Sequence, residues 1–259
     1  MRVFLVASAA VLALSACGQA AEQAPPPAPA VTAESAHIVA ALADARRPAE
    51  DAARDAQRHP ADMLAFAQIE PGDRVADLLP GSGYFTRIFA VAVGEAGRVY
   101  PVIRPDATVG DFETPILAVA ALYPSATMAR TEYDALAFPE PLDVVFTAQN
   151  YHDMYIADYH LGDAAGMNRT AFAALKPGGA YIVIDHSAIA GAAVELAGES
   201  ALHRIDQAIV RAEIEAAGFV FDGESDVLRN PADMRTLSVF DPAIRGQTDQ
   251  FVMRFRKPE

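Results

Sequence analysis

V-A-D-L-L-P-G-S-G-Y-F, Val75 to Phe85, is the stretch that decides how this chain folds. A short apolar run ends in an acid, crosses a loop carrying Gly81 and Gly83, and enters an amphipathic segment from Thr86 to Val93. In an α/β protein such a strand-loop-helix turn is where a ligand meets backbone amides, because glycine has no Cβ to hold the ligand off. A tight turn with no ligand uses the same residues, so the motif gains meaning only from what surrounds it.

Outward from this loop, short apolar runs alternate with helical windows. Strands are expected at Arg74 to Leu78, Arg98 to Val102, Thr127 to Thr131, Asp143 to Thr147, Ala180 to Asp185, Phe219 to Ser225 and Gln250 to Arg256. Helices are expected at Thr86 to Val93, Phe112 to Leu122, Ala164 to Leu175 and His203 to Ala217. That alternation predicts a doubly wound, mostly parallel seven-stranded α/β sheet. No helical window separates the last two strands, only the turn-rich span from Asn230 to Thr248, so they are expected to pair antiparallel at one edge. Upstream, Ile38, Leu42, Met63, Leu64 and Phe66 recur at helical spacing and Pro48 and Pro60 interrupt it, which predicts two or three covering helices. Ala49 to Arg58 is polar on most sides and is expected to be a solvated helix.

The order of these motifs resembles a class I S-adenosylmethionine-dependent methyltransferase. The resemblance rests on I-E-P-G-D-R-V-A-D-L-L-P-G-S-G-Y-F (69 to 85), G-R-V-Y (97 to 100), D-A-L-A-F-P-E-P-L-D-V-V-F (134 to 146), L-K-P-G-G-A-Y-I-V-I-D-H (175 to 186) and A-E-I-E-A-A-G-F (212 to 219). Within the family the chain is similar to a group of bacterial predicted methyltransferases with P-G-S-G-Y in the first loop and a closing R-G-Q-T-D-Q-F strand. The resemblance implies a Rossmann-like sheet with a reversed carboxy-terminal hairpin and S-adenosylmethionine as cofactor. It places Asp77 near the methionine moiety and the loop Leu79, Gly81, Ser82, Gly83 and Tyr84 along the cofactor. It also places Asp134 with Ala135 at the adenine amino group, and Asn150 and Tyr151 facing the transferring methyl. Two positions depart from the family pattern. Leu79 stands where the first glycine is usual, and Ile103 followed by Arg104 stands where an acid usually binds the ribose hydroxyls. Each charge-assisted bond lost there would cost about 1.5 to 3 kcal/mol.

Methyl transfer from a sulfonium is an in-line displacement that depends mainly on positioning, with a base needed only when the acceptor must lose a proton. Beyond the fourth strand lie His152 and Asp153, and beyond the fifth lie Asp185 and His186, all on the edge that carries the glycine loop. His152 is the first candidate base, oriented by Asp153 or Asp185, and His186 the second; His203 and Asp206 could join the same cavity. Loop histidines that merely satisfy backbone carbonyls would look the same in sequence. His152, His186 and His203 with a carboxylate could also bind zinc or iron. No short motif such as H-x-x-x-H supports that, so no metal ligand is assigned. Arg229 and Arg245 are expected to form surface ion pairs, or, if either folds over the sheet edge, to favour an anionic acceptor.

The first residues carry a different signal. Arg2, an apolar run from Val3 to Ala16 and the ending L-S-A-C at Cys17 describe a secretory leader, and the ending resembles a bacterial lipoprotein box. Residues 18 to 33 form a Pro/Ala-rich tether, leaving 34 to 259 for the α/β domain. The expected placement is the cell envelope, on the periplasmic side, held to the membrane only through lipidated Cys17. A formal net charge of −14 disfavours nucleic acid, whose phosphates require a basic footprint, and leaves a small-molecule methyl acceptor as the expected partner. An exported domain with the fold of a cytosolic-cofactor enzyme admits two functions: a small-molecule methyltransferase, or an envelope lipoprotein that binds a metabolite or partner without catalysis.

Overall fold

In the computed structural model, residues 35–107, 115–194 and 202–259 are described. The leader, the tether and Cys17 therefore lie outside the described residues, as do the first three positions of the helix expected from Phe112.

Seven strands form one sheet: β1 (Arg74–Leu78), β2 (Arg98–Ile103), β3 (Ala129–Arg130), β4 (Leu142–Ala148), β5 (Leu175–His186), β6 (Val220–Ser225) and β7 (Gln250–Arg256). Their spatial order is β3-β2-β1-β4-β5-β7-β6. The first five strands run parallel, and β7 inserts antiparallel between β5 and β6. The two neighbouring strands at which the strand order reverses, β1 and β4, are buried along nearly their whole length because both of their faces are covered. One face is covered by α1 (Ala36–Leu42), α4 (Pro60–Ala67), α5 (Tyr84–Ala92) and α6 (Pro115–Ala120), whose Ile38, Leu64, Phe89 and Ile116 pack with Val75, Phe146 and Ile182. The other is covered by α7 (Ala164–Ala174) and α8 (Gln207–Ala216), where Met167, Val210 and Ile214 meet Val145, Tyr181 and Phe251.

Local chemistry sets the element ends. Pro60 opens α4 where its missing N–H costs nothing. Asp163 caps α7 by accepting from the Gly166 amide at 2.6 Å, and Asp206 caps α8 by accepting from Ala208 at 2.9 Å.

Several boundaries differ from the sequence expectations. The solvated helix over 49–58 is instead two single turns, α2 (Ala49–Ala52) and α3 (Asp55–Arg58). Two of its acids turn inward while Glu50 and Gln57 stay exposed: Asp51 is buried and accepts from Arg87 at 2.8 Å, and Asp55 accepts from Arg47 and from the Tyr84 hydroxyl. The strand expected over Thr127 to Thr131 shortens to β3, and the helix expected from His203 begins at Gln207 because Asp206 caps it there. β5 starts at Leu175, five residues before the expected Ala180. β5 already pairs at Leu175 with Leu142, passes a register shift, and is closed at Gly178, whose amide donates to the Lys257 carbonyl at 2.9 Å.

Candidate active site

The site lies at the carboxyl ends of β1, β2, β4 and β5, where a parallel sheet's crossovers part and leave a crevice. A cavity of about 600 Å³ opens there, lined by Leu79 and Gly81 from the β1 loop, Arg104 after β2, Asn150, His152 and Asp153 after β4, His186 after β5, and His203, Val239 and Phe240. A second cavity of about 560 Å³ shares Gln149, His186, Val239 and Phe240 with it and adds Arg54, Arg58 and Arg245. Both volumes fall in the range that takes a small organic ligand.

The glycine loop divides into two functions. Gly81 has a left-handed backbone (φ 56°), and a Cβ there would meet nothing within 4 Å, so its open side faces the cavity. Gly83 is also left-handed, and a Cβ there would lie 2.7 Å from Ile116 Cδ1, so this glycine admits α6 against the loop. Leu79 adopts φ 49° and borders the cavity without closing it; its carbonyl accepts from Asn150 Nδ2 at 2.9 Å, and the same amide reaches Ala148 O at 2.8 Å. Asn150 thereby fixes the β1 loop to the end of β4.

Other residues singled out by sequence are placed outside the cavity lining. Ser82 is exposed, and its carbonyl accepts from Arg87 at 2.8 Å. Tyr84 is buried beneath the guanidinium groups of Arg54 and Arg58, with its hydroxyl on Asp55. Asp134 lies against Gly162 and Gly166 at the start of α7, and Ala135 is exposed. Tyr151 turns into the lower core, donating to Glu213 and accepting from Asn168, each at 2.8 Å. Its neighbour Asn150 faces the cavity, because the single 3₁₀ turn Tyr151–Tyr155 sends successive side chains in different directions. Asp206 caps α8 and accepts from the Gly191 amide at 2.6 Å. Arg229 spends its charge on Asp249, Glu224 and Asp226.

Asp77 is buried and accepts from the Thr86 hydroxyl at 2.5 Å. Burial pushes its carboxyl up to about 7, against the opposing pull of the Thr86 hydrogen bond and the Arg58 charge. Ile103 is fully buried among core residues, so the ribose position has no acid, and Arg104 borders the cavity next to it.

The histidines form one connected group. His152 Nδ1 lies 2.8 Å from Asp185 Oδ1, and its backbone amide donates to Asp185 Oδ2 at 2.8 Å. Its Nε2 lies 3.1 Å from Asp153 Oδ1 and 3.3 Å from His203 Nδ1. Burial works to lower the His152 pKa, but the charge of Asp185 and the hydrogen bonds to Asp153 and Asp185 outweigh it and push it up to about 10. His152 therefore holds its proton at neutral pH and serves as a donor before it can serve as a base. His186 behaves oppositely: burial, with the His152 and Arg204 charges, pulls it down to about 3, and its Nδ1 rests on the Thr248 hydroxyl at 2.8 Å. Sequence reasoning missed Gln149, Val239 and Phe240. Gln149 directly follows β4 and was findable by its position; Val239 and Phe240 sit in a span with no periodicity to read.

No family model matches the chain. A ubiquinone/menaquinone biosynthesis C-methyltransferase of Burkholderia mallei is 29% identical over 127 residues, 49% of this chain and 48% of that protein. The chain thus spans about half the length of the curated relatives it matches. A SAM dependent methyltransferase of Aquifex aeolicus superposes with a TM-score of 0.54 at 18% identity, covering 78% of this chain and 92% of that one. Aeropyrum pernix fibrillarin, solved with natively bound S-adenosyl-L-methionine, superposes with a TM-score of 0.51 at 15% identity, over 78% of this chain and 76% of that one. The fold is the Rossmann-like class I methyltransferase fold.

Proposed function

We propose that this protein is an S-adenosylmethionine-dependent methyltransferase acting on a small molecule. The observation that carries the reading is the cavity at the β1 and β4 ends, where Gly81 leaves open space and the Asn150 amide holds the loop in place. Leu79 and Arg104 border that cavity and leave about 600 Å³ free, so a scaffold whose pocket has been filled is not favoured. When bound, the cofactor would supply an electrophilic methyl group on a sulfonium. This chain's own part is to hold the two reactants in line and exclude water. The ribose would be held without the usual acid, since Ile103 is buried and Arg104 is cationic.

The adjoining cavity supports a narrower acceptor class. Arg54, Arg58 and Arg245 converge on it in a chain of strongly negative net charge, and Arg58 donates there to the neutral side-chain amide Oε1 of Gln149 at 3.1 Å. An acceptor carrying an anionic group would find in these guanidiniums the donors its charge requires. P-G-S-G-Y and R-G-Q-T-D-Q-F support placing the chain with the bacterial group named above. Export, and anchoring through Cys17, rest on residues 1 to 33 alone.

Isothermal titration of the full-length protein with S-adenosylmethionine and with S-adenosylhomocysteine tests the cofactor. One site per chain with micromolar affinity is expected; absence of heat with millimolar ligand rejects the proposal.

A further inference from the structure

Two segments 51 residues apart bring His152 and His203 together at the cavity wall, with Asp153 beside them. Their facing atoms are close: His152 Nε2 to Asp153 Oδ1 3.1 Å, His152 Nε2 to His203 Nδ1 3.3 Å, and His203 Nδ1 to Asp153 Oδ1 4.0 Å. A proton can bridge one of these pairs but cannot serve all three atoms, whereas a cation at their centre can. A metal bonded at about 2.0 to 2.2 Å holds adjacent nitrogen and oxygen ligands roughly 3.0 to 3.5 Å apart. Two of the three separations already match, and the third closes with a side-chain shift of less than about 1 Å.

We propose that His152 Nε2, His203 Nδ1 and Asp153 Oδ1 bind one divalent transition-metal ion, of the zinc or ferrous type, with its remaining coordination positions open to the cavity. Two imidazoles and one carboxylate form the donor set that suits these borderline cations. All three residues line the cavity, so an ion there would take its further ligands from water or from an oxygen of whatever molecule occupies the space.

The surroundings are those of a prepared ligand set. Asp185, fully buried, accepts at its carboxylate from His152 Nδ1, the His152 amide and the His186 amide, at 2.8, 2.8 and 2.7 Å. With Nδ1 committed to Asp185, Nε2 is the nitrogen left for the proposed ion, which would bind there by displacing its proton, in the carboxylate–histidine arrangement that orients metal ligands. His203 itself is held at φ 53°, with its ring edge-on to Phe240 at 4.8 Å between centroids. Leu79, Gln149 and His160, which also border this cavity, share that left-handed backbone. Such strain in non-glycine residues gathers where a site must be held in a fixed shape. His186 stands aside, with Nδ1 on Thr248 and its ring 6.0 Å from that of His152.

This site does not depend on the methyltransferase reading. The test strips the full-length protein with chelator and titrates it with Co²⁺, following ligand-field absorption in the visible, then displaces the cobalt with Zn²⁺. The expected result is one Co²⁺ per chain. His203→Ala and Asp153→Asn should each lose about tenfold or more in affinity, and Asp185→Asn, which acts only through His152, should lose roughly 10- to 100-fold. His59→Gln, outside the cavity lining and beside Asp62, should change nothing. Far-ultraviolet circular dichroism of each stripped variant separates ligand loss from unfolding. No stoichiometric cobalt in the wild-type protein overturns the proposal and leaves a protonated His152 between the two carboxylates. Binding that survives both ligand substitutions in folded protein overturns it equally. Because no adenosyl compound is present, either result is independent of the calorimetric test above.

Discussion

Asp77 shows how one buried carboxyl links the loop to the stability of the molecule. The folded protein holds a proton on it up to about pH 7, while the unfolded chain releases that proton near 3.8. The sign follows from linkage: the group's contribution is full below 3.8 and is lost as pH rises through about 7, because the folded state binds the extra proton. Asp77→Asn keeps an acceptor for the Thr86 hydroxyl and removes the charge. It should leave stability at acid pH unchanged and raise it at pH 8 by an amount on the order of 4 kcal/mol. Urea denaturation of both proteins across that pH range measures the difference; a difference independent of pH would show that folding does not shift the Asp77 pKa.

Among elements, the passage from β1 into α5 is the one where a single residue type does two unrelated things. Gly83→Ala places a methyl 2.7 Å from Ile116 Cδ1 and about 3 Å from Val119, in a backbone at φ 82°. Overpacking of about 1 to 3 kcal/mol adds to a left-handed penalty of roughly 1 to 2 kcal/mol. Gly81→Ala meets open space and carries only the second cost. Urea midpoints should therefore fall further for Gly83→Ala, while cofactor affinity should fall further for Gly81→Ala. Equal stability losses would refute this division. The wall opposite the loop is fixed by another element pair: Arg204, fully buried, bridges to Asp233 at 2.8 Å and donates to the Leu237 carbonyl at 3.0 Å. These bonds hold the segment that presents Val239 and Phe240 to both cavities.

At the scale of the whole molecule, the two apolar layers share one sheet. Successive residues of β4 and β5 feed opposite cores: Val144, Phe146 and Ile182 one, Val145, Tyr181 and Val183 the other. Neither layer can melt without exposing the other's strands, so unfolding should be a single transition. The chain has no tryptophan, and its eight tyrosines report the interior. Near-ultraviolet circular dichroism from tyrosine and far-ultraviolet circular dichroism from the backbone should give coincident urea curves. Separated midpoints would mean that the layers are independent.

Much of this was legible in the residues themselves. β1 and β7 run between the residues expected, and the crossover pattern and reversed last strand followed from apolar period and from the missing helix before β7. Gly81 and Asn150 were legible because each lies within three residues of a strand's end, and strand ends fix location. Local pattern could not tell that Tyr151 turns into the core, that Gly83 admits α6, or that Arg54, Asp55 and Arg58 of the polar run 49–58 gather on Tyr84. Each of these depends on which neighbour the chain meets across space. The same holds for His152 and His203: sequence supplied two imidazoles 51 residues apart, with no periodicity to relate them, and only the packing of the β4 and β5 loops sets their nitrogens 3.3 Å from each other. Backbone period is a local property that sequence carries, whereas the convergence of side chains at a sheet edge is decided by how distant loops close over it.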